Sequence, residues 1–253
     1  MCSVNLLAHL ACMLDLYEPD LTEPIAEPLI IKLDLGYQSD MERQFALWLG
    51  RRLPNFIRAP LSAAFSYFYG LQGKVIIWNN ELIEALGEFY GMDSVNTRDM
   101  MRNAGRLIED AWKQAKPKSE EEEVELYKSL QYYPFQLAYW HSCLAQRRFR
   151  KWVVKQAKGS VLDYGGGIGD LSLTLWRNGQ EVTYLDISTS HTARFARYLF
   201  EKHKANIKII LLDYKSQVQQ LETNNTIICL DVIEHNPDAK QTIKTFYTHL
   251  AEN

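Results

Sequence analysis

Downstream of Ser160 the chain alternates short apolar, β-branched runs with longer amphipathic stretches. Residues 161–164, 182–186, 207–212 and 226–230 have the length and composition of buried strands. Residues 171–177 and 192–203 show helical spacing, with Gly179 suited to ending the first of them, and 239–250 reads as a further helix. Strands joined by helical crossovers predict a parallel sheet with right-handed connections and a ligand at the carboxyl ends of its strands.

Residues 1 to about 157 carry mainly the helical period. Leu6, Leu7, Leu10 and Leu14 share one face, and 41–53 and 61–71 are further apolar segments. Asn80 is placed to cap a helix running to Tyr90 and ending at Gly91, with Glu81 and Glu84 near its start. Residues 97–116 continue with Met101, Ile108 and Trp112 at helical spacing, while 29–35 and 74–78 are strand candidates. A break at 116–118 precedes a helix capped by Ser119. The stretch that follows is rich in aromatics, and Pro134 is expected to break or kink it. The expected architecture is α/β: a mainly helical domain over 1–124 serves as substrate lid, and a Rossmann-like parallel sheet with flanking helices spans 125–253.

Composition narrows the function classes. With 253 residues and a net charge of −3, the chain has no basic field, which argues against a nucleic-acid partner. Cys2, Cys12, Cys143 and Cys229 form no C-x-x-C pair, which argues against a zinc site or disulfide frame and suits a reducing, cytoplasmic setting. The apolar run at 5–14 is too short to cross a membrane.

The chemistry concentrates at Val161-Leu162-Asp163-Tyr164-Gly165-Gly166-Gly167-Ile168-Gly169-Asp170. A strand ending in a glycine loop that opens a helix offers free backbone N–H groups to a nucleotide-like ligand. The third glycine of a dinucleotide fingerprint is missing, because Asp170 or Ser172 stands there, and no P-loop lysine follows. Asp163 beside the loop repels a pyrophosphate and attracts a cation, so S-adenosylmethionine, with its sulfonium and ammonium, fits better than NAD. Asp186, 17 residues after Gly169, ends the second strand where a carboxylate can accept from ribose hydroxyls. Asp213 ends the third strand, and Cys229-Leu230-Asp231-Val232-Ile233-Glu234-His235 closes the fourth.

These motifs resemble the class I S-adenosylmethionine-dependent methyltransferases, and Asp231-Val232-Ile233-Glu234-His235 is similar to the D-V-x-E-H signature of small-molecule methylases. The resemblance implies that Asp163, Tyr164, Gly165, Gly166, Gly167 and Gly169 hold the methionine portion of the cofactor. It assigns Asp186 and Ile187 to the ribose, Asp213 and Tyr214 to the adenine edge, and Leu230 and Asp231 to the border of the methyl group. The expected reaction moves that methyl to a small-molecule or natural-product-like acceptor, oxygen favoured, leaving S-adenosyl-L-homocysteine. A hydroxyl acceptor needs a base, for which His235 is the first candidate and His141 the second. Glu234, Tyr132, Tyr133, Tyr139 and Trp140 are candidate substrate contacts, with core packing the alternative for the aromatics. The basic run Arg147, Arg148, Arg150 and Lys151 reads as a solvated helix face. A cofactor-binding scaffold without turnover is the alternative function.

The family's sheet normally has seven strands, and nothing after residue 250 supplies the fifth to seventh. A bare fourth-strand edge is a liability. The favoured expectation is a fragment of a longer protein. The alternatives are an edge covered by the N-terminal half or a second subunit, or one filled by the candidate strands at 29–35 and 74–78.

Overall fold

The computed structural model describes residues 75–213, 221–236 and 239–251, together with the backbone of 30–33. The expected helical segments at 6–14, 41–53 and 61–71, Tyr214 and the Glu234 side chain lie outside the described residues. Five strands form one parallel sheet: β1 (Ile30–Leu33), β2 (Ser160–Tyr164), β3 (Glu181–Ile187), β4 (Lys208–Leu212) and β5 (Thr226–Leu230). Their spatial order is β1-β5-β2-β3-β4. The four strands expected from the apolar runs are all present, and β2 lies between β5 and β3.

The edge beside β5 has a partner of its own. β1 runs parallel to it, with Ile30 opposite Ile227 and Leu33 opposite Leu230. A strand from the N-terminal half occupies this edge, which was one of the expected alternatives. The second candidate strand is not one. Ile76 makes a single antiparallel bridge to Cys143, and the Ile77 and Leu144 amides bond to Ser142 and Val75 carbonyls. A turn between two helices offers a few backbone partners there, not a strand edge.

Five helices precede the sheet's core: α1 (Asn80–Tyr90), α2 (Ser94–Ala115), α3 (Glu120–Ser129), α4 (Tyr133–His141) and α5 (Leu144–Gln156). Asn79, rather than Asn80, caps α1, its side chain accepting from the Leu82 amide. Asp93 caps α2, which therefore starts three residues before Thr97. Ser119 caps α3 as expected. The aromatic stretch does break beside Pro134: α3 ends at Ser129, and Pro134 sits in the first turn of α4, where its missing N–H costs nothing. Three further helices, α6 (Asp170–Arg177), α7 (His191–Lys202) and α8 (Ala239–Thr248), complete the described elements. No described helix is long and apolar enough to cross a membrane.

Alternation along the strands sends side chains to two cores. Val161 and Tyr184 join Leu82, Leu86, Met101, Phe135, Phe149 and Phe195 in one continuous cluster, so α1 and α2 share their core with the sheet. Leu162, Tyr164, Leu185 and Cys229 face the other way, onto Phe246 of α8. Cys143 and Cys229 are buried thiols, neither in a disulfide.

The turn from β2 to α6 is possible only with glycine at its end. Gly169 has φ +72, and a Cβ there would lie 2.6 Å from Phe200 Cζ and 2.9 Å from the Ala196 Cβ of α7. Gly169→Ala is expected to destabilise the protein by about 2–4 kcal/mol through strain and overlap together. Urea denaturation of the variant against the unaltered chain measures it.

Candidate functional site

The glycine turn is held by the end of the neighbouring strand. The Gly165 and Gly166 amides donate to the Leu185 carbonyl at 2.8 and 3.1 Å, and the Gly167 amide donates to Asp186 Oδ2 at 2.6 Å. Asp186 Oδ1 accepts the Ile187 amide at 2.6 Å. The Tyr184 hydroxyl donates to the Gly167 carbonyl at 2.7 Å and lies 3.2 Å from Asp186 Oδ2. Tyr184, to which the motif reading gave no role, shares its face of β3 with Asp186 two residues on. Beneath Gly165, at φ +69, the Val232 side chain leaves no room for a Cβ, which would fall 2.4 Å from it.

Asp163 and Asp186 both lie on this face and are 3% and 5% exposed. Burial pushes each carboxyl up to about 6, against the hydrogen bonds that favour the ionised form. Asp163, expected at the cofactor, is turned into the protein. It sits under Gly166 and accepts from the Ser172 hydroxyl at 2.5 Å.

Helix α4 forms the wall opposite the turn, and its face selects among the expected residues. Tyr133, Leu137 and His141 recur at every fourth position and so share one stripe. Leu137 Cδ1 lies 3.2 Å from where a Gly167 Cβ would stand, and His141 Nδ1 lies 3.1 Å from Asp170 Oδ1. Tyr133 packs edge-on against Tyr127 of α3, ring centroids 4.7 Å apart. Tyr127, left out of the expected site, hydrogen-bonds through its hydroxyl to Thr192 Oγ1 at 3.1 Å. Burial raises its phenol well above the ordinary value, and the Asp186 charge adds to the rise. Tyr139 instead packs on Trp78, Trp140 is 40% exposed, and Tyr132 packs against the core at the start of α4. Of the four expected aromatic contacts, the structure therefore brings Tyr133 to the site.

His141 is corrected as a base candidate. Arg150 Nη2 bonds to Asp170 Oδ1 at 2.6 Å, and Arg150 Nη1 lies 3.4 Å from His141 Nε2. Burial pushes the Asp170 carboxyl up, but Arg150 and His141 outweigh it and hold it well below the usual range. Burial, then the Arg150 charge, pulls His141 down. An ionised carboxylate can only accept, so Nδ1 carries the proton and both ring nitrogens are engaged. Within the basic run, half-buried Arg150 is drawn into that ion pair, while Arg147, which donates to the Ile77 carbonyl, and Lys151 stay exposed as a solvated face requires.

At the far side of the turn, Asp231 follows β5 with φ +52, a conformation uncommon outside glycine. A short 3₁₀ turn, Ile233–His235, follows, and Asn236 Nδ2 donates to the Tyr164 hydroxyl at 3.1 Å. Tyr164 therefore lines the turn by its backbone only, its ring being buried against Phe246. His235 is exposed beside this loop. Asp213, at the end of β4, accepts from Ser188.

Residues 138–253 match the family described as "Methyltransferase domain". The chain is 31% identical over 100 residues to the ubiquinone biosynthesis O-methyltransferase of Rickettsia akari (strain Hartford), covering 38% of this chain and 38% of that protein. It is similar to the PH0226 protein of Pyrococcus horikoshii OT3, with 25% identity, a TM-score of 0.33, and coverage of 41% of this chain and 47% of that one. It is also similar to the plantazolicin methyltransferase BpumL, solved with a triazolic desmethylPZN analog and SAH, with 16% identity, a TM-score of 0.32, and coverage of 67% and 56%. The chain thus spans well under two thirds of the length of these relatives.

Around the glycine turn the buried acids predict a pH dependence with a definite sign. A carboxyl raised from 3.8 to about 6 on folding lowers stability as pH climbs from about 4 to 6, by about 3 kcal/mol when fully ionised. Asp163→Asn removes that term, and the Ser172 hydroxyl can turn to accept from the amide. The variant is expected to be more stable by about 2 kcal/mol at pH 7.5, with the gain vanishing towards pH 4. Urea titrations at the two pH values test this, and a gain independent of pH would contradict it.

Proposed function

We propose that this protein is an S-adenosylmethionine-dependent methyltransferase acting on a small-molecule, natural-product-like acceptor, oxygen being the favoured acceptor atom. The observation that carries the reading is the Asp186 carboxylate at the carboxyl end of β3, fixed on the Gly167 amide of the glycine turn. An acid beside a glycine turn suits a ligand with ribose hydroxyls and positive charge rather than a pyrophosphate. The methyltransferase-domain match and the O-methyltransferase relative support the same reading.

In this reading the turn from Gly165 to Gly169 holds the methionine portion. Room for it lies at Gly167, where a Cβ would meet only Leu137 among the described residues. Asp186 takes the ribose, Asp213 with Ser188 the adenine edge, and Leu230 and Asp231 border the reacting methyl. The bound cofactor supplies a methyl group on a positively charged sulfur, an already activated leaving group. The protein's own work is then to align the acceptor and exclude water. Tyr133 contributes an aromatic wall, and exposed His235 takes the proton of a hydroxyl acceptor. The buried thiols suit a reducing cytoplasm.

Calorimetry on the full chain tests the reading. S-adenosylmethionine and S-adenosylhomocysteine are expected to bind with micromolar affinity, and Asp186→Ala to weaken both by more than about tenfold. Methyl transfer to phenolic acceptors is expected to fall by about a hundredfold or more in His235→Ala, with cofactor affinity unchanged. Absence of cofactor binding by the unaltered chain overturns the proposal, while binding without transfer to any acceptor favours a scaffold.

A further inference from the structure

Gly167 and Asp186 are joined twice. The Gly167 amide donates to Asp186 Oδ2 at 2.6 Å. The Tyr184 hydroxyl, 2.7 Å from the Gly167 carbonyl and 3.2 Å from Oδ2, bridges the other end of the same glycine to the same carboxyl oxygen. Tyr184 is 0% exposed. Its ring lies under Gly166, where a Cβ would fall 2.6 Å from Cδ2, and packs edge-on against Phe200 at 5.4 Å. A phenylalanine would fill that space, so packing alone does not call for the hydroxyl. Burial, then the Asp186 charge, raises the phenol well above its ordinary value, so it keeps its proton and can donate. Asp186 needs such a donor. Burial opposes its charge and Asp163 of β2 adds to the opposition, while the Ile187 and Gly167 amides and the Tyr184 hydroxyl favour it. Tyr127 of α3 and Tyr164 of β2, whose phenols respond to the same charge, bring no cation.

We propose that Tyr184 is a positioning residue: its hydroxyl locks the Gly167 peptide and the Asp186 carboxylate together, so that the glycine turn and the ribose acceptor meet one ligand in fixed register. The proposal rests on the cofactor reading above and adds what aligns its two subsites. Tyr184 stays beneath the turn and acts through its two partners. Without the hydroxyl, Asp186 keeps its amide contacts but loses a donor, and the hydrogen bond to the Gly167 carbonyl goes as well. A ligand then meets a less ordered turn and an acid that takes up a proton more readily.

Tyr184→Phe in the full chain keeps the ring and removes the hydroxyl. By calorimetry at about pH 7.5, S-adenosylhomocysteine is expected to bind the variant about tenfold more weakly. In the unaltered chain affinity should fall as pH drops through about 6, where Asp186 takes up a proton. Removing a donor to the ionised form raises that carboxyl further, so in Tyr184→Phe the fall should begin about half a pH unit higher. Phe200→Leu, which trims the ring against Tyr184 and spares the hydroxyl, is expected to lower stability and leave the midpoint in place. Carbon-13 NMR titration of the Asp186 carboxyl in the ligand-free protein reads the same shift directly. Tyr184→3-fluorotyrosine, a stronger donor in the same ring, should move that titration downwards, and it decides the matter where Tyr184→Phe does not fold. Affinity and midpoint both unchanged in Tyr184→Phe overturn the proposal, as does a midpoint moved equally by Phe200→Leu. If the unaltered chain binds no S-adenosylhomocysteine, the cofactor reading fails, and the carboxyl titration still decides whether Tyr184 holds Asp186.

Discussion

The carboxyl edge of this sheet depends on one arrangement: the end of β3 supplies the partners for the turn that follows β2. A chain leaving a buried strand and entering a helix within a few residues exposes several amides that need acceptors. The Leu185 carbonyl takes two of them and Asp186 takes a third, so the turn is shaped by its neighbour as much as by its own glycines. The arrangement requires a carboxylate almost out of contact with water, and burial opposes its charge. A residue that costs stability where it stands, at the edge where such sheets bind ligands, is what a binding site retains and a purely structural turn does not need.

The acids around the turn illustrate how neighbours set the charge. Asp163, Asp170 and Asp186 all resist ionisation through burial, yet only Asp170 has a guanidinium against it, and it alone is held below the usual range. That pairing does mechanical work as well. It ties α4, α5 and α6 together and commits His141 to a structural role.

Much of the fold was legible in local pattern. The four strands and their helices follow from period-two and helical spacing, and Ser119 and Gly91 act as the caps their chemistry suggests. Cap positions shifted by a residue where two neighbours compete, as Asn79 does with Asn80, because the winner is whichever residue leaves helical geometry. The segments at 29–35 and 74–78 read alike, and only one is a strand. The difference lies outside both: β5 offers a free edge to the first, and a helix–helix turn offers the second a single bridge. In the site, Asp186 and the glycines were recognisable from spacing. Tyr127 and Tyr184 were not, because an aromatic residue carries no local mark of which neighbour it will meet.

The sequence by itself determined the parallel α/β unit, the glycine turn and the acids at the strand ends, because these depend on backbone geometry and the chemistry of residues close together in the chain. Only the tertiary structure decided which face of α4 meets that turn. Choosing the stripe of Tyr133, Leu137 and His141 brought one aromatic to the site, sent Tyr139 to Trp78, and placed His141 on Asp170 instead of on a substrate. A helix shows every residue on some face, and only its packing against α2, α5 and the turn fixes which of them points inward.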